Sequence, residues 1–119
     1  MEHYVRSESD SKEQFIHVYK GLNQDQLNQK IDDLLKCEGY KLKDGMPGNG
    51  TYEKGSRTAR ILLGAFYKYF KANATTQHGE NEEIKLRFDK QTSGRSGGVI
   101  GMNQVKKEME RISNLLISI

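Results

Sequence analysis

The chain has no tryptophan, one proline (Pro47) and one cysteine (Cys37) in 119 residues. A single cysteine excludes an internal disulfide and any Cys-x-x-Cys metal or redox motif, which points to a reducing, cytoplasmic setting. The longest apolar run, Ile61 to Tyr67, is far short of the ~20 residues that span a bilayer. With no apolar signal segment visible, no membrane association is expected. The three histidines, His3, His17 and His78, show no ligand spacing, so neither a metal nor a cofactor is expected. Charge of one sign is also scarce: the formal net charge is +3. That is a weak electrostatic footprint for a nucleic-acid binder.

Leu, Ile, Val and Phe number 26, about a fifth of the chain and just above the level at which disorder is the default. A folded domain with a thin core, drawing its aromatic content from Phe and Tyr, is expected. Residues 1–12, MEHYVRSESDSK, have no period and read as a flexible tail. Residues 13–119 then form one domain.

Glu13 to Lys20 alternates as a strand, with Ile16 and Val18 on one face and Phe15, His17 and Tyr19 on the other. Asn23 to Glu38 carries the marks of a helix. Asn23 caps it, Gln26 completes a capping box, and Leu22 and Leu27 form a hydrophobic staple. Leu27, Ile31, Leu34 and Leu35 make one stripe, and Gly39 stops the helix. Tyr40 to Lys43 and Thr51 to Lys54 predict two short strands. The Asp44 to Gly50 segment between them reads as a mobile connection.

Residues 57–65 fit neither period and read as a bulged strand around Gly64, with a short helical turn as the alternative. Phe66 to Thr76 alternates again, and Gln77 to Asn81 reads as a hairpin loop. Glu82 to Lys90 is the clearest strand, with Ile84, Leu86 and Phe88 inward. A glycine turn at residues 93–101 opens a last helix, whose stripe is Met102, Val105, Met109, Ile112 and Leu116. The predicted fold is α+β, a two-layer sandwich: an antiparallel sheet of four to five strands with two helices packed on one face.

From Gln14 to Leu116 this order resembles the β-α-β4-α arrangement of TBP-like and small helix-grip domains. Gly50 to Phe70 (GTYEKGSRTARILLGAFYKYF) and Ser96 to Ile112 (SGGVIGMNQVKKEMERI) are similar to segments of a group of small bacterial domains. The resemblance implies a fold and no activity.

Two surfaces invite a functional reading. Arg95, Ser96, Gly97 and Gly98, at the turn into the last helix, would present backbone N–H groups to an anion. No Gly-Lys-Ser/Thr follows, so this is not a P-loop. The blander reading is a tight joint that lets the helix approach the sheet. The second surface is the sheet face opposite the helices, where parity puts Tyr67, Tyr69, Lys71, Lys85 and Arg87, together with Lys41 and Lys43 and in one reading His17 and Tyr19. Cations interleaved with aromatic rings suit single-stranded nucleic acid. A solvated face, a protein partner or a homodimer contact explains the same pattern.

A third expectation is a small apolar ligand between sheet and last helix, lined by Phe66, Phe70, Met102 and Met109. Asp32-Asp33 and Glu82-Glu83 read as solvated charge, and no nucleophile–base pair is legible. The expected role is that of a non-catalytic binding domain.

Overall fold

The computed structural model describes residues 3–10, 14–54, 70–90 and 98–119, with backbone alone for Asp10 and for 98–105. The elements are β1 (Tyr4–Asp10), β2 (Gln14–Tyr19), α1 (Gln24–Cys37), β3 (Lys41–Met46), β4 (Asn49–Lys54), β5 (Phe70–His78), β6 (Ile84–Lys90) and α2 (Gly98–Ile117). They build a six-stranded sheet in the order β1-β2-β6-β5-β4-β3. Every neighbouring pair is antiparallel. The expected α+β sandwich is therefore present, with one strand more than the periodicity predicts.

The extra strand is β1, so that over Tyr4–Asp10 a strand stands where a flexible tail was expected. Ser7, Glu8, Ser9 and Asp10 have poor strand propensity, so nothing local announces it. It is held by partners far along the chain. His3 and Tyr4 donate their backbone N–H groups to the Ile119 carbonyl at 3.0 and 3.1 Å, and Lys20 donates to the His3 carbonyl at 2.9 Å. Two register shifts interrupt its pairing with β2, as is common on an edge strand.

Alternation decides which face each strand buries. Phe15, His17 and Tyr19 of β2, Ile84, Leu86 and Phe88 of β6, and Phe70, Ala72 and Ala74 of β5 are all buried. The apolar members of this set meet Leu27, Ile31 and Leu35 of α1 and Met109, Ile112 and Leu116 of α2 in one core. Both helices thus cover one face. His17 and Tyr19, candidates for the open face by parity, lie on this buried side instead. Phe15 stacks on Phe88 with ring centroids 5.0 Å apart, which commits the odd-numbered residues of β2 to the inside. The Tyr19 hydroxyl then donates to the Leu116 carbonyl at 2.7 Å.

The N-terminus of α1 is built as its sequence indicates. Gln26 N–H donates to Asn23 Oδ1 at 2.7 Å, and Gln26 Oε1 accepts from the Asn23 N–H at 3.0 Å. Asp32 departs from expectation: it is 1% exposed. Its Oδ1 accepts from the Tyr52 hydroxyl at 2.5 Å, and its Oδ2 lies 2.8 Å from Lys36 Nζ. The Tyr52 oxygen in turn accepts the Gly48 N–H at 3.0 Å. The segment after Asp44 is therefore no mobile connection. Met46 and Asn49 pair across a Pro47-Gly48 turn, and that hairpin end is tied to α1 through Tyr52. Burial and the Asp32 contact push the Tyr52 phenol well above its ordinary range. Tyr52→Phe removes a donor from a buried carboxylate and an acceptor from a buried N–H. A loss of about 2 kcal/mol is expected, measured by urea unfolding with the m-value unchanged.

At the other end of α1 a second clasp forms. The Tyr40 hydroxyl donates to Glu108 Oε2, and Arg111 donates to Glu108 at 2.8 Å and also to Glu38. Burial pushes the Glu108 carboxyl up, but the Arg111 and Tyr40 hydrogen bonds outweigh it and hold it below the ordinary value. Residues 55–69, including the expected bulge at Gly64 and the start of the expected strand at Phe66, lie outside the described residues.

Candidate binding face and a buried serine–histidine array

The sheet face away from the two helices is assembled by cross-strand register. Arg6 pairs with Val18, Val18 with Lys85, and Lys85 with Gln77, one row across four strands. The next row runs Ser9, Ile16, Arg87 and Thr75. Lys71 belongs to this face too, alternating with buried Phe70 and Ala72. Of the candidates named from sequence, Lys71, Lys85 and Arg87 thus share one face. Tyr67 and Tyr69 lie outside the described residues, as do Arg95, Ser96 and Gly97. Gly98 is the first residue of α2.

The charges on this face are largely matched. Arg6 makes a two-pronged pair with Glu83, at 2.8 and 2.9 Å, and also reaches Glu8 at 3.0 Å. Lys85 Nζ lies 2.8 Å from Glu8, Arg87 lies 2.9 Å from Asp89, and Lys43 lies 3.8 Å from Glu53. Val18, between Arg6 and Lys85 in the row, is fully buried although it faces away from the helices. The aliphatic stems of long cationic side chains provide such cover while their heads stay in water. Beside this row an open depression of about 520 Å3 is lined by Arg6, Glu8, Gln77, His78, Glu83 and Lys85, with the β5–β6 turn as its rim.

These pairs set a pH dependence. Hydrogen bonds from Lys85 and then Arg6 hold the Glu8 carboxyl below its ordinary value, and Arg6 does the same for Glu83. A carboxylate whose folded value is depressed adds stability above its unfolded value, about 4.3 for Glu. That contribution is lost as pH falls through the lower folded values. Both groups lie at the surface, so the effect is local and screened by salt. Amide exchange in β1 is expected to accelerate relative to β6 as pH drops below about 4, after correction for intrinsic rates. Equal protection of the two strands at every pH would show that the pairs do not hold β1.

On the opposite face the β1–β2 register makes a second polar constellation. Ser7 is the Cα partner of His17. Ser7 Oγ lies 2.7 Å from His17 Nδ1, and the Tyr4 hydroxyl lies 2.7 Å from Ser7 Oγ. His17 Nε2 lies 3.1 Å from both the carbonyl oxygen and Oγ of Ser113 on α2. His17 is 0% exposed and Ser113 3%, whereas Ser7 is exposed. Periodicity does not reveal this set, because Ser7 falls in a stretch that reads as a tail. The usable signal is the separation itself, since ten residues across a sharp reversal can face each other in a hairpin.

Among the described residues no cluster of His, Cys, Asp and Glu could hold a metal ion. No described helix is long and apolar enough to cross a membrane. Compared with known proteins, the chain matches no family model, no curated protein and no solved structure.

Proposed function

We propose that the chain is a non-catalytic binding domain that docks a protein partner on the sheet face away from the helices. The observation that carries this reading is the asymmetry of the sandwich: both helices contribute to one core, and among the described residues neither helix lies on the other face of the six strands. Sheet faces with rows of alternating polar and charged side chains suit a partner with its own mixed charges. The internal pairing of Lys85 and Arg87 favours such a partner over a nucleic-acid backbone, which needs unmatched cations. An exposed Cys37 is in keeping with a reducing, cytoplasmic setting. The order of elements from β2 onward supports kinship with TBP-like and helix-grip domains. Phe70 and Met109 are buried in the core, while Phe66 lies outside the described residues and only the backbone is described at Met102. The apolar-ligand reading therefore rests on no observed cavity among the described residues.

The test is a double charge reversal, Lys71→Glu with Arg87→Glu. A folded variant that loses partners retained by Lys30→Glu, on the exposed side of α1, supports the proposal. Unchanged binding in both overturns it. A short single-stranded oligonucleotide that saturates the wild-type protein at low salt would replace the protein partner with nucleic acid.

A further inference from the structure

We propose that Ser7 is a nucleophilic serine that accepts an acyl group from an activated ester or thioester, with His17 as its general base. This rests on the helix-side array and not on the open face, so it stands or falls independently of the docking proposal.

Activation of Ser7 requires one of the two protonation patterns that the partners of His17 allow. The Ser113 carbonyl oxygen, 3.1 Å from His17 Nε2, only accepts. In the required pattern Nε2 carries the hydrogen and donates it to that carbonyl. In the competing tautomer the Ser113 hydroxyl donates to a bare Nε2 from the same 3.1 Å, and nitrogen NMR tells the two apart. In the neutral ring Nδ1 is then the acceptor, and the group facing it at 2.7 Å is the Ser7 hydroxyl. Ser7 therefore donates to His17, which leaves Tyr4 to donate to Ser7 Oγ. The order is Tyr4 O–H to Ser7 O–H to Nδ1, with Nε2–H to a helix carbonyl. A nucleophile, a base and an orienting acceptor stand in line, the arrangement that activates a hydroxyl. The ring is fixed by packing, with its centroid 4.5 Å from that of Phe15 and edge contacts to Tyr4 and Tyr19.

Exposure separates the roles. Ser7 lies on an edge strand and is open to solvent, while His17 is sealed beneath it. Ser7 Oγ attacks the acyl carbon and forms a new C–O bond, while its proton passes to His17 Nδ1. The bond from acyl carbon to the leaving oxygen or sulfur breaks. The leaving group departs with the electron pair and takes the proton from His17, which restores the neutral ring. The Tyr4 hydroxyl steadies negative charge building on Oγ before the new bond is complete. Deacylation would need a water bound and oriented in the place the leaving group vacates beside Nδ1, and an alkyl ester of serine is slow to hydrolyse without one. The adduct is thus expected to persist, making Ser7 a site of stoichiometric modification and not of turnover.

The experiment incubates the whole chain with p-nitrophenyl acetate and maps acetylation by peptide mass spectrometry. The expected result is acetyl-Ser7 in wild type and in Ser9→Ala, none at position 7 in Ser7→Ala, and a rate about 100-fold lower in His17→Gln. Folded wild-type protein acetylated only elsewhere overturns the proposal. If His17→Gln does not fold, two readouts remain. Nitrogen NMR of wild-type His17 should show hydrogen on Nε2 and a bare Nδ1, and hydrogen on Nδ1 overturns the proposal. In a Cys37→Ser background, Ser7→Cys should be alkylated by iodoacetamide about tenfold faster near neutral pH than an unassisted thiol, and an ordinary rate overturns it.

Discussion

Phe88→Ala is expected to lower the unfolding free energy by about 4 kcal/mol, the middle of the range for truncating a buried phenylalanine. Phe88 is 0% exposed and sits in the centre of β6, stacked on Phe15 and opposite Ala74. Alanine on the next strand cannot grow to fill the space, and the two flanking strands hold the backbone apart. The void therefore stays open. Domains of this size have about 5–15 kcal/mol in total, so one ring removes a large share of it. Chemical denaturation should show an earlier midpoint with an unchanged slope, and the melting temperature should fall by roughly 15–25 °C. Phe88→Leu keeps most of the volume and should lose less than half as much. A near-neutral Phe88→Ala would mean that the Phe15–Phe88 stack is not the centre of this core.

Gly48→Val is expected to cost about 3 kcal/mol or more, for two separate reasons. Gly48 has φ +74, a conformation that a β-branched residue adopts only with strain. A Cβ there would also lie 2.6 Å from the Asn28 Cα and 2.7 Å from its Cβ. Those atoms belong to α1 and cannot swing aside, so the hairpin end must lift off the helix. Lifting it breaks the Gly48 N–H to Tyr52 contact and leaves Asp32 without its buried donor. The two effects share that contact, so Gly48→Val combined with Tyr52→Phe should cost less than the sum of the two single changes. Full additivity in a double-mutant cycle would show that the turn and the Tyr52–Asp32 bond are independent.

Much of the fold is legible in local pattern alone. The capping box at Asn23 and Gln26, the Leu27–Ile31–Leu35 stripe and the in–out alternation of Ile84, Leu86 and Phe88 are short-range signals, and each is present in the folded chain. The same parity puts Lys71, Lys85 and Arg87 on one face. Local pattern does not show the company those cations keep. Glu83 reaches Arg6, and Glu8 reaches Lys85, from distant parts of the chain, and only strand order reveals that a basic row is a matched one. Asp32 reads as a solvated charge because it stands beside exposed Asp33 in sequence. Its burial comes from a hairpin end, around Tyr52 and Gly48, that folds over it.

The sequence by itself determined the elements with a strong period and a terminator and, for α1, β6 and the described part of α2, the side that faces the core. Those follow from the 3.6- and 2-residue repeats of helix and strand and from the cost of exposing apolar surface. Only the tertiary structure decided that YVRSESD is a strand, that His17 is buried, and that Ser7 stands 2.7 Å from it. A weak strand exists because a neighbour supplies its hydrogen bonds. A serine gains a base because a register aligns the two. Both depend on contacts between residues far apart along the chain, which local propensity does not encode.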